Sequence, residues 1–125
     1  MRPRIFYNLP NTWAPAQDLN PSGIETIFGI PIEVMLTYSD RLTLFALIVG
    51  LQPDCVLEIG TWQGGSATVI VNAMDSIQKC RLICLDPTPN MSHDHWKTIE
   101  HRATLVRAPS PYSIEEAFEA AHPLP

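Results

Sequence analysis

The twelve residues VLEIGTWQGGSA at 56–67 constrain the fold more than any other stretch of the chain. They continue a short, apolar, β-rich run, CVLEI, and a glycine follows at once, so a buried parallel strand fits better than a helix. After the glycines, Ala67, Ile70, Val71, Met74 and Ile77 fall on one face of a helix expected from Ser66 to Gln78. RLICLD at 81–86 is a second apolar strand, and it ends in an acid. Strand, helix and strand in this order form a βαβ unit with parallel strands and a right-handed connection.

A third round follows. Ser92 caps a short helix through HDHWKTIEHR, ATLVR at 103–107 forms a third strand, and Ser113 with Glu116 makes a capping box that opens IEEAFEAA. Ahead of the first strand, Leu42, Phe45, Ala46, Ile48 and Val49 recur near helical spacing. They predict a helix over about residues 40–50, capped by Thr37 or Ser39, closed at Gly50 and kept closed by Pro53. Residues 1–31 hold prolines at 3, 10, 15, 21 and 31 and form a Pro-rich arm; residues 32–125 form the domain. Three such strands step outward in one direction and leave the first with an unpaired apolar edge. The expected fold is therefore α/β, a parallel sheet with flanking helices truncated after about three strands, with self-association through the exposed edge.

Composition removes several classes of function. With 125 residues, 46% of them hydrophobic, the chain suffices for one domain with a core. A net charge of -5 lacks the cationic excess that releases counterions from a phosphate backbone, so nucleic acid is not an expected partner. The longest apolar run, LTLFALIVGL at 42–51, is too short to cross a bilayer, and MRPRIFYNLP has no signal-peptide core; the expectation is a cytoplasmic protein with no membrane partner. Three cysteines without a CxxC, two of them (Cys55 and Cys84) in apolar strands, point to buried thiols rather than disulfides. His93, Asp94, His95 and His101 cluster around one helix, but helical rotation separates His93 from His95 and no further ligand has matching spacing. They are expected to form a solvated face rather than a metal site, and Trp96 with Ile99 to pack in the core.

The glycine loop also discriminates among ligands. A P-loop overlay on Gly60 and Gly65 puts Ser66 at the lysine position and Ala67 at the hydroxyl position, so neither phosphate charge nor Mg²⁺ is served. The dinucleotide pattern needs a bare backbone where this chain has Trp62, which disfavours NAD and leaves an NAD-dependent oxidoreductase as a minor alternative. A ligand without phosphate needs only a turn at Gly60, room near Gly64 and Gly65, and polar anchors at each end. Glu58 is the more telling residue, because a buried acid within a parallel strand is costly unless something satisfies it.

VLEIGTWQGGSA followed by LICLDP resembles motif I and the acidic β2 end of class I S-adenosylmethionine-dependent methyltransferases. EIGTWQGGS is most similar to the E-x-G-x-x-x-G-G-S loop of the small-molecule O-methyltransferase and cephalosporin-hydroxylase-like branch. The resemblance covers about residues 37–120 and implies a Rossmann-like sheet, of which the first three strands would be encoded here. It implies S-adenosylmethionine as cofactor and a small molecule as methyl acceptor. Gly60 and its neighbour Thr61 would line the methionine part, Glu58 would meet its amino group, and Gly64 and Gly65 would give room. Ser66 at the helix N-terminus would favour the cofactor carboxylate, Asp86 would accept from both ribose hydroxyls, and Ser110 in the APS segment would bond the adenine. The acidic motif that follows on a fourth strand in that family has no counterpart, so no catalytic residue and no metal ligand is assigned. A fragment that binds the cofactor without turnover is the alternative.

Overall fold

A computed structural model of the protein describes residues 26–111 and 113–120. Most of the expected arm, residues 1–25, lies outside them. The elements run α1 (Tyr38–Leu51), β1 (Cys55–Ile59), α2 (Gly65–Ile77), β2 (Arg81–Leu85), α3 (His93–Ile99), β3 (Ala103–Val106) and α4 (Ile114–Ala120). The strands form one parallel sheet in the order β1-β2-β3, with Cys55 opposite Arg81 and Leu82 opposite Ala103. This is the Rossmann-like α/β arrangement that the alternation of periods predicts.

Several boundaries differ from expectation: the helix from His93 ends at Ile99 rather than Arg102, the third strand ends at Val106, and two helix ends are built differently. Thr37 is the N-cap of α1, its hydroxyl accepting from the Asp40 amide, but the helix does not close at Gly50. It continues to Leu51, and Gln52 takes the left-handed conformation (φ 48°) while its amide still reaches the Ile48 carbonyl. Pro53, which has no amide to donate, is what ends the helix. In α2 the cap is Gly64 rather than a side chain, and it too is left-handed (φ 86°).

The alternation of β2 divides the core between two faces of the sheet. Leu82 and Cys84 join Phe45 and Ile48 of α1, Val69, Ile70, Ala73 and Met74 of α2 and Ile99 of α3. Ile83 and Leu85 face the other way, onto Ala117 of α4. Both sets are fully buried, as a strand covered on both sides requires. Burial pushes the Cys84 thiol up to about 12, so it behaves as a small apolar group. The three cysteines are free.

The end of the Pro-rich arm belongs to this core: Ile27 and Ile30 are buried within it. Arg41 fixes their segment, donating from Nη1 to the Ile27 carbonyl at 2.9 Å and from Nε to the Leu36 carbonyl at 3.1 Å. Phe28 packs edge-on against Tyr38, and the Arg41 guanidinium lies over the same ring. Leu42, Leu47 and Leu51 of α1 are exposed, and β1 is only half-buried along Cys55, Val56 and Leu57 because it has one neighbouring strand. No helix among the described residues is long and apolar enough to cross a membrane.

Ile27→Ala removes a fully buried side chain from this cluster. It is expected to lower stability by about 2 to 4 kcal/mol in urea unfolding; a loss under about 0.5 kcal/mol, the scale of an ordinary surface substitution, would show that residues 26–31 are not core.

Candidate functional site at the carboxyl ends of the strands

The loop between β1 and α2 is built on an unusual backbone. Gly60 (φ 83°) and Gly64 (φ 86°) are left-handed, and so is Trp62 (φ 47°), a conformation that costs a side-chain-bearing residue energy unless something holds it. Asp86 holds it. Its Oδ2 accepts from the amides of Thr61 at 2.9 Å and Trp62 at 2.8 Å, while Oδ1 accepts from the Thr88 amide at 2.8 Å. The Gly60 amide donates to the Leu85 carbonyl at 2.9 Å, which extends the β1-β2 ladder by one bond. The Asn90 amide donates to the Trp62 carbonyl, tying the loop to the segment after β2. Burial alone would raise the Asp86 pKa, but the amides of Trp62, Thr88 and Thr61 outweigh it and hold the carboxyl below its usual range.

Glu58 lies one residue before the end of β1 with 9% of its surface exposed. Ser66 donates its hydroxyl to Oε2 at 2.6 Å, across the turn from the first residues of α2. Oε1 is buried without a hydrogen-bond partner, and the hydroxyl of Thr61 is in the same condition. Burial raises the Glu58 pKa, and the Ser66 hydrogen bond, with the Thr61 hydroxyl and the Cys84 thiol close by, pulls it back in part. A buried acceptor left unpaired costs about 1 to 3 kcal/mol.

The glycines divide into one that is open and two that are covered. A Cβ on Gly60 would meet nothing within 4 Å. At Gly64 it would lie 2.8 Å from Cε of Met91 and 3.2 Å from Cδ2 of His95, and at Gly65 it would lie 3.0 Å from the Glu33 carbonyl oxygen and the Val34 Cα. The room beside Gly64 and Gly65 is filled by the chain itself.

Of the residues expected at the site, Glu58, Gly60, Thr61, Ser66 and Asp86 come together around the loop. Gly64 and Gly65 form its covered side, and Ser110 is exposed in the turn after β3. A cavity of about 190 Å³ beside these elements is lined by Pro89, Met91, His93, Trp96, Leu105 and Arg107. His95 corrects the expectation of a solvated histidine face. It is 8% exposed, and its Nε2 lies 2.7 Å from Thr68 Oγ1, which donates to the Gly64 carbonyl at 2.6 Å. The signal was its spacing: His95 and Ile99 lie four apart and share the buried face of α3. His101 is instead half-exposed and lies 3.0 Å from the Asp75 carboxylate. No group of three metal-ligating side chains occurs among the described residues.

A parallel sheet with a glycine turn leaving its first strand, an acid within that strand and a second acid closing the next defines a Rossmann-like α/β protein. Within that class the chain belongs to the rhamnosyl O-methyltransferase/CmcI family, whose profile matches residues 25–116 and so takes in every strand and the whole loop. No curated protein and no solved structure matches the chain significantly.

The two acids shift in opposite directions, which gives a test. Folding favours the protonated form of Glu58, so the native state binds more protons than the unfolded chain and this residue's contribution falls as pH rises through its raised pKa. Glu58→Gln is therefore expected to raise stability at pH values above that pKa, the gain shrinking as pH falls below it and vanishing below the ordinary carboxylate value; a gain independent of pH would contradict the burial of the charge. The Asp86 contribution is present above the ordinary carboxylate pKa and is lost as pH falls through its depressed one. Asp86→Ala orphans three amides and is expected to cost about 2 to 4 kcal/mol at neutral pH by urea unfolding.

Proposed function

We propose that the chain binds S-adenosylmethionine at the carboxyl ends of β1 and β2, as the cofactor-binding part of a methyltransferase that acts on an oxygen of a small molecule. The observation that carries this reading is the unpaired Oε1 of Glu58, two residues from the open Gly60. A carboxylate oxygen accepts only, and an ammonium group is the donor that both pairs it and keeps it ionised. The amino group of the cofactor's methionine part has that chemistry. Membership of a methyltransferase family points the same way.

The other residues fit such a ligand in a narrower way than the sequence implies. Asp86 Oδ2 already takes two amides, so ribose hydroxyls are left Oδ1, which takes one. The Ser66 hydroxyl is spent on Glu58, which leaves the amides and the positive dipole end of α2 to favour the cofactor carboxylate. Ser110 is left accessible for a contact with the base. S-adenosylmethionine when bound supplies a methyl group already activated on a sulfonium. The task of these residues is to bind and orient, since displacement at such a carbon gains most from proximity and alignment. No catalytic base is assigned. The free edge of β1 and the leucines of α1 are the surfaces that an acceptor-binding part would cover.

Calorimetric titration with S-adenosylmethionine and with NAD tests the reading. Binding of S-adenosylmethionine is expected, weakened about tenfold or more by Glu58→Gln, the scale of a lost charge-assisted hydrogen bond. Tighter binding of NAD would overturn it, and unchanged affinity in a folded Glu58→Gln variant would remove Glu58 from the site.

A further inference from the structure

At the opposite pole, before the strands begin, lies a cavity of about 460 Å³ whose lining includes Asp54, Lys79, Cys80, Arg81, His101 and Arg102. The Lys and Arg residues among the described residues are Arg41, Lys79, Arg81, Lys97, Arg102 and Arg107, so half of them line this one concavity in a chain of net charge -5. Their counter-charges leave them available. Lys79 pairs at 3.0 Å with Asp54, whose side chain is 93% exposed, a geometry that contributes little in water. Arg102 is held through Nε by Asp75 at 2.8 Å, which fixes the guanidinium and leaves both Nη groups without a hydrogen bond among the described residues. Arg81 makes no ion pair and no side-chain hydrogen bond among the described residues.

The turn that presents these groups is itself under constraint. Gln78 (φ 55°) and Cys80 (φ 88°) are left-handed without being glycine. Gln78 closes α2, which accounts for its conformation. Cys80 has no such capping role, and a strained residue persists where its surroundings over-determine it.

We infer that this cavity binds the phosphate group of a small molecule. Two guanidiniums, an ammonium and an imidazole line it beside the single carboxylate of Asp54, and guanidinium forks match phosphate oxygens in geometry as well as charge. The overall negative charge opposes an extended polyanion, whereas a single phosphate meets only the local positive field. β1 and β2 are five-residue strands, which sets the cavity about 17 Å from the glycine loop. This inference does not depend on the methyltransferase reading.

Titration of the full chain with inorganic phosphate and with pyrophosphate at about 0.1 M salt, followed through the arginine side-chain NMR signals, tests it. Saturable shifts at Arg81 and Arg102 are expected. Arg81→Glu should weaken binding about tenfold or more, while Lys97→Glu, an equal charge change on exposed α3, should alter it less than about twofold. Arg81→Gln supplies the same test should the charge reversal disturb folding. Shifts that never saturate, equal weakening by both charge reversals, equal binding of acetate, or a short oligonucleotide that binds more tightly than pyrophosphate would each overturn the proposal.

Discussion

The Asp86 carboxylate is the contact on which the site depends. Three backbone amides, from Thr61, Trp62 and Thr88, converge on its two oxygens, so one side chain at the end of β2 sets the path of the loop that leaves β1. Hydrogen bonds to an ionised acceptor are roughly twice as strong as neutral ones, and several on one group offset both its desolvation and the left-handed backbone at Trp62. The parallel register brings the two strand ends level, with Ile59 opposite Leu85, so the carboxylate reaches the loop without distorting the sheet.

With the loop fixed from one side, the rest of the chain fills the other. Met91 and His95 close on Gly64, and the backbone of Glu33 and Val34 closes on Gly65. Arg41 keeps that second segment in place through two backbone carbonyls. What stays uncovered is Gly60, and what stays unpaired is the Oε1 atom of Glu58 two residues before it. One glycine thus stays open and two provide close packing against the rest of the chain. The energetic cost of an unpaired acid is retained at the position where a cationic ligand would relieve it.

Much of this was legible in the sequence, because it rests on short-range patterns. The change from strand period to helix period around the glycines gave the βαβ unit, and the positions of Glu58 and Asp86 at successive strand ends followed from it. What was not legible depends on contacts distant in the chain. Gly64 and Gly65 look like room for a ligand until Met91, His95 and Val34 are seen beside them. Asp86 looks like a ribose acceptor until the Thr61 and Trp62 amides, some 25 residues earlier, occupy Oδ2. His95 looks exposed among charged neighbours until Thr68 supplies its partner. Ile27 and Ile30 sit among prolines that suggest an arm, and only the core shows that they are inside it.

The central claim, that Asp86 fixes a loop whose open side at Glu58 and Gly60 receives an aminoacyl nucleoside, is most directly tested by amide NMR during titration with S-adenosylhomocysteine, the demethylated product. Saturable shifts concentrated at Glu58, Gly60, Thr61 and Ser66, with the signals of Lys79 to Arg81 at the far pole unmoved, are the predicted result. Saturable binding that leaves the loop signals in place, or that shifts the far pole instead, would contradict it.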